Sequence, residues 1–94
     1  MEVITLEEFK KSIYKYQEKD LYLYITGDIK TMLEINKSIV FIKGNRICIT
    51  NEDDFDVDIE LNSVTNFYKL GHDSNLRLEF NNNMEIVFDF DVNS

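Results

Sequence analysis

The chain has 94 residues, 44% of them hydrophobic, and a formal net charge of −8. That length allows one small core, and that apolar content excludes a disordered polymer. No apolar stretch approaches the ~20 residues that span a bilayer, and the acidic excess disfavours direct contact with nucleic acid or an anionic membrane.

In chain order, the first element is a helix. Thr5-Leu6-Glu7-Glu8 has the pattern of a capping box, in which Thr5 and Glu8 satisfy each other's backbone N–H groups. Leu6, Phe9, Ile13 and Tyr16 follow at helical spacing, which predicts an amphipathic helix over 6–18. Lys10, Lys11, Lys15 and Lys19 fall toward water. The opening MEVITLEEF lacks the basic and apolar regions of a signal peptide. The lone Cys48 has no internal disulfide partner. Both point to a cytoplasmic protein.

From Leu21 the apolar period becomes two. Strands are expected near 21–26, 30–36, 38–43, 46–51, 55–61, 66–70, 75–80 and 84–91. The joins carry turn residues: Gly27-Asp28, Asn36-Lys37, Gly44-Asn45, Gly71 to Ser74 and Asn81 to Asn83. Connections this short make neighbours antiparallel.

Two of these hairpins can be checked by register. A two-residue loop at Gly44-Asn45 sets Ile42 opposite Ile47 and Val40 opposite Ile49. A three-residue loop at Asn81–Asn83 sets Phe80 opposite Met84, Leu78 opposite Ile86 and Leu76 opposite Phe88. Apolar meets apolar throughout, and a one-residue slip would destroy the match. A two-residue loop at Asn36-Lys37 likewise sets Leu33 opposite Val40.

These registers gather one apolar face, running from Leu21, Leu23 and Ile25 to Ile86, Phe88 and Phe90. One short helix cannot cover so much sheet. The expectation is an α+β fold in a single domain over residues 1–94: an N-terminal amphipathic helix, then a strongly curled antiparallel β-meander over 21–91 or a small partly open barrel.

Charge is unevenly placed. Residues 1–46 hold 8 basic and 7 acidic side chains, whereas residues 47–94 hold 2 and 11. The acids concentrate on the outward positions of two late strands, as Asp54, Asp56, Asp58 and Glu60 and as Glu85, Asp89 and Asp91. Tyr22, Tyr24 and Phe41, with Met32 and Ile39, hold the outward positions of the early strands.

Asp54, Asp56 and Asp58 have the first spacings of a calcium loop, but Ile59 stands where glycine is needed and Thr65 where glutamate is needed. No metal or cofactor is expected. His72 sits alone in a turn, and no nucleophile–base arrangement or phosphate-binding glycine loop is legible. Cys48 alternates with Ile47 and Ile49, which predicts a packed thiol. The chain is therefore expected not to be an enzyme.

The acids and aromatics together favour a binding protein. The two acidic ladders would steer it to a basic protein surface, and Tyr22, Tyr24 and Phe41 would anchor it. A nuclease or another nucleic-acid-binding protein is the expected partner, blocked by mimicry of nucleic-acid charge or in the manner of an immunity protein. The abundance of Ile, Lys, Asn, Phe and Tyr and the absence of Ala and Pro match AT-rich codons, as in a low-GC bacterium or its phage. The alternative is a structural domain that self-associates into a homo-oligomer through the Tyr22/Tyr24/Phe41 patch.

Overall fold

The computed structural model describes residues 1–93; Ser94 lies outside the described residues. One helix, α1 (Leu6–Lys15), is followed and preceded by strands: β1 (Glu2–Ile4), β2 (Lys19–Thr26), β3 (Lys30–Lys43), β4 (Arg46–Thr50), β5 (Asp56–Glu60), β6 (Val64–Lys69), β7 (Asn75–Phe80) and β8 (Glu85–Asp91). The strands form one eight-stranded sheet in the order β1-β6-β7-β8-β2-β3-β4-β5, antiparallel at every pairing and not closed into a barrel. It is two meanders, β2 to β5 and β6 to β8, joined where β2 pairs with β8. No helix among the described residues is long and apolar enough to cross a membrane.

The helix starts as its sequence dictates. The Thr5 hydroxyl accepts from Glu8 N–H, and the Glu8 carboxylate accepts from Thr5 N–H, both at 3.1 Å. It ends three residues earlier than its spacing predicts. Tyr16 caps it, donating from its N–H to the Ile13 carbonyl, and Glu18 takes a left-handed φ of 63°. That early exit frees Gln17 for another task.

Both checked hairpins have the expected registers, including Ile42 opposite Ile47 and Leu78 opposite Ile86. Gly44 has φ of 60°, the left-handed first position that a type II′ hairpin turn reserves for glycine. Every residue of the expected apolar face belongs to one core cluster or packs against it. The helix lies on this face. Phe9 meets Phe88 edge-on with ring centres 5.7 Å apart and Phe67 at 5.3 Å, and Tyr16 stacks on Phe90 at 5.4 Å. Phe9 and Ile13 are fully buried, each contributing on the order of 2 kcal/mol from apolar burial.

The Asn36-Lys37 hairpin does not form. β3 runs straight through it as a single 14-residue strand. Its pairing to β2 jumps from Leu21–Ile35 to Lys19–Ser38, so Asp20 faces two residues where one would fit. This is a β-bulge. Lys37 adopts φ of 49°, and its N–H donates to the Asp20 carboxylate at 3.0 Å. The extra residue reverses the alternation. Leu33 and Ile35 point inward before it, and Ser38, Val40 and Ile42 point inward after it. Turn and bulge serve the same apolar pattern, and only the backbone path distinguishes them. Residues 2–4, not expected to be a strand, pair as β1 with β6, with Ile4 opposite Phe67.

Beyond Ser38, β3 has lost β2 as a neighbour. Side chains take its place. The Gln17 amide accepts from Val40 N–H at 3.0 Å and donates to the Val40 carbonyl at 2.6 Å, while the Tyr14 hydroxyl accepts from Ile42 N–H at 3.2 Å. Gln17 thus supplies both halves of a ladder rung to a buried residue.

Replacing Gln17 by alanine orphans both Val40 groups and should lower unfolding free energy by about 1–3 kcal/mol in denaturant titration. Lys37→Gly should act oppositely, raising it by roughly 0.5–1 kcal/mol, because glycine adopts a left-handed φ without the penalty of a Cβ.

Candidate binding face

The helix packs on part of the inward face, so the outward face of the sheet is left open. Tyr24 is 41% exposed and Met32 54%. Cross-strand neighbours build this face in rows. One runs Met32, Tyr24, Val87, Arg77, Tyr68 and Val3 across six strands. The next places Tyr22 between Glu34 on β3 and Asp89 on β8, with Asn75 beyond. A further rung pairs Asp20 with Asp91. The Tyr22 phenol is held above its ordinary pKa first by Glu34, then by burial and by Asp91 and Asp20. An aromatic ring in such a field is a favourable seat for a cation.

The two predicted acidic ladders are not on neighbouring strands. Asp56, Asp58 and Glu60 lie on β5, the edge strand, opposite Thr50, Cys48 and Arg46. Glu85, Asp89 and Asp91 lie on β8, with β2, β3 and β4 in between. At ~4.8 Å per strand step, that separates the ladders by roughly 19 Å along the sheet. Asp54 is on neither. It sits in the β4–β5 turn with φ of 62°, where Asn51 Oδ1 accepts from the N–H groups of Asp53 and Phe55.

Individual charges differ as well. Glu85 lies 3.2 Å from the Arg77 guanidinium, which also meets Glu79 at 3.1 Å and sits over the Tyr68 ring at 4.9 Å. Hydrogen bonds from Asn66 and then Arg77 hold Glu79 below the ordinary carboxylate range. Glu85 is thus tied into a local network, whereas Asp89 flanks Tyr22. Arg46 spans Asp58 at 3.8 Å and Glu60 at 3.5 Å.

Phe41 is 36% exposed but lies beyond the bulge, nine strand positions from Met32. It faces Cys48, which in turn faces Asp58. The expected Tyr22/Tyr24/Phe41 anchor set is therefore split between the two acidic blocks. Sequence reasoning left out Glu34 and Asp20, because they stand alone on early strands; only the pairing of β2 with both β3 and β8 brings them to Tyr22.

Among the described residues, no group of three or more His, Cys, Asp or Glu side chains is arranged to hold a metal ion. Burial, then a hydrogen bond with Asp58, pushes the Cys48 thiol up, away from the thiolate that nucleophilic chemistry needs. His72 is engaged in its own turn, its Nδ1 accepting from Ser74 N–H at 3.2 Å. A cavity of about 330 Å³ lies beside β5, lined by Val57 to Glu60 and by Ile25, Ser63, Phe80, Asn82, Met84 and Ile86.

Compared with protein-family models, curated proteins and solved structures, the chain matches none.

Asp73 has a structural part in holding this face. It accepts from the Tyr16 hydroxyl and from Lys15 Nζ at 2.9 Å, tying the end of α1 to the β6–β7 turn. The Tyr16 and Lys15 hydrogen bonds lower its pKa from 3.8. A carboxyl whose folded pKa is depressed adds stability above its unfolded pKa and loses it as pH falls through the folded value. Asp73→Asn should therefore destabilise by roughly 1–2 kcal/mol at neutral pH, and thermal melts of variant and parent should converge as pH falls below 3.8.

Proposed function

We propose that the chain is a small, non-enzymatic binding protein that docks its acidic outer face onto a basic protein surface, namely the nucleic-acid-binding site of a nuclease or similar protein. One observation carries the reading: Tyr24 stands exposed and Tyr22 half-buried on the central strand, with Glu34 and Asp89 on either side of Tyr22. Tyrosine is enriched at interface centres, and surrounding charge sets encounter rate and specificity. Lysine and arginine side chains gain twice there, from the ring face and from the carboxylates.

The separation of β5 from β8 changes the form of the mimicry. A running pair of ladders would copy the charge track of a nucleic-acid backbone. Two separate acidic blocks instead copy local charge density, which suits an immunity-type protein capping part of a basic cleft. The same reading takes the sheet as strongly curled, a partly open barrel, because Val57 and Ile59 share a cavity with Met84 and Ile86. It takes residues 1–94 as one domain, and it places the protein in the cytoplasm of an AT-rich bacterium or of a cell infected by its phage.

The test is capture of nucleic-acid-binding proteins from such a lysate at low salt. Capture should fall steeply as salt rises, be competed by duplex DNA, and drop roughly tenfold in a Tyr24→Ala, Glu34→Gln, Asp89→Asn variant. Capture indifferent to salt, DNA and these substitutions would refute the proposal. A stable homo-oligomer whose mass ignores salt, seen by light scattering, would assign the tyrosine patch to self-association instead.

A further inference from the structure

The open edge at β5 is a second surface, remote from Tyr22. β5 ends the sheet, pairing with β4 on one side only. Its five residues run in unbroken register with β4, and the chain contains no proline to interrupt an edge. The phase of its hydrogen bonds follows from one contact. Leu61 N–H donates to the carbonyl of Asn45, its register partner, at 2.9 Å. In an antiparallel pair, hydrogen-bonded and non-hydrogen-bonded partners alternate. Leu61, Ile59 and Val57 therefore direct their backbone groups to β4, and Asp56, Asp58 and Glu60 direct theirs to the open side.

The cavity beside β5 runs along that edge. Val57, Asp58, Ile59 and Glu60 line it together. Consecutive strand residues point to opposite faces, so only a cavity along the edge meets all four. Facing them are the apolar Ile25, Phe80, Met84 and Ile86, with the polar Ser63 and Asn82 beside them. The space offers backbone donors and acceptors on one side and apolar contact on the other, the two requirements of strand addition.

We propose that β5 is the docking edge for an extended, basic segment of a partner protein. The segment adds as a strand along Asp56–Glu60, bonds to the outward backbone groups of Asp56, Asp58 and Glu60, and turns alternate apolar side chains toward Met84 and Ile86. Its other side chains meet the three β5 carboxylates, which fixes their sign as positive. The same carboxylates disfavour a second copy of this chain, whose own β5 would set acid against acid. Edge protection alone would account for the charges, but not for the apolar-walled cavity beside them. This edge and the Tyr22 face are separate surfaces, and each can fail without the other.

A fluorescent peptide of about seven residues alternating lysine and valine is long enough to pair with the whole strand. Anisotropy titration should show saturable binding. Amide hydrogen exchange should slow at Asp56, Asp58 and Glu60, with no change at Tyr22 or Tyr24. N-methylation of alternate peptide amides should weaken binding roughly tenfold or more, because it removes ladder bonds, and an alternating glutamate–valine peptide should not bind. Asp58→Pro removes an outward N–H together with one of the three carboxylates, and should weaken binding at least as much as N-methylation. Should that variant fail to fold, the methylated peptide gives the same comparison on the parent chain. Absence of binding, equal binding of the methylated or acidic peptide, protection only at the Tyr22 face, or a dimer abolished by Asp58→Pro would overturn the proposal.

Discussion

A strand keeps its apolar side chains on one face only while its two-residue alternation is unbroken, and β3 breaks it once. Its inward positions are odd-numbered up to Ile35 and even-numbered from Ser38 onward. The bulge at Lys37 reconciles the two halves. Without it, either Leu33 and Ile35 or Val40 and Ile42 would turn toward water. β4 and β5 hang on the second half through Val40–Ile49 and Ile49–Val57, so their inward residues depend on this one inserted residue. A left-handed lysine is a strained device, and Asp20 supports it from the neighbouring strand. The β2–β3 ladder ends one pair beyond the bulge, at Lys19–Ser38, which is why the helix must end early enough for Gln17 to reach Val40.

The distribution of charge follows from the same topology. Because β2 pairs with β8, acids from both ends of the sequence converge on Tyr22. Because β5 closes the other meander, its acids are carried to a far edge. Net charge alone would describe both as one acidic surface. They differ chemically. The central face offers aromatic rings among carboxylates, with Arg77 fixing Glu79 and Glu85 in place. The edge offers carboxylates beside unpaired backbone groups.

Local features were legible in the sequence wherever a short segment carries its own check. The capping box at Thr5 and Glu8 is such a case, as are the hairpins around Gly44-Asn45 and Asn81–Asn83, where each register is tested by several apolar pairs at once. The Asn36-Lys37 site was not, because a turn and a bulge invert alternation alike. The β2–β8 pairing was not legible either, since no short loop dictates it. The role of Gln17 was hidden for a related reason: a glutamine at a helix end reads as solvent-facing until the strand it completes is known. Within the candidate face, Tyr22, Tyr24 and Asp89 were named from sequence, whereas Glu34 and Asp20 needed the strand order. Asp54 was misplaced because its acidic neighbours mask a turn.

The joining of β2 to β8 also orders events in time. Leu21 and Phe90, roughly seventy residues apart, are opposite each other, and contacts so distant in sequence are slow to form. During synthesis the β2–β5 meander can emerge and pair before β8 has left the ribosome. Until Phe88 and Phe90 leave the ribosome, Phe9 has only Phe67 and Tyr16 lacks its ring partner, and the long flank of β2 stays open. In that interval the nascent chain exposes an apolar half-sheet, the state in which chaperones bind and proteases cut.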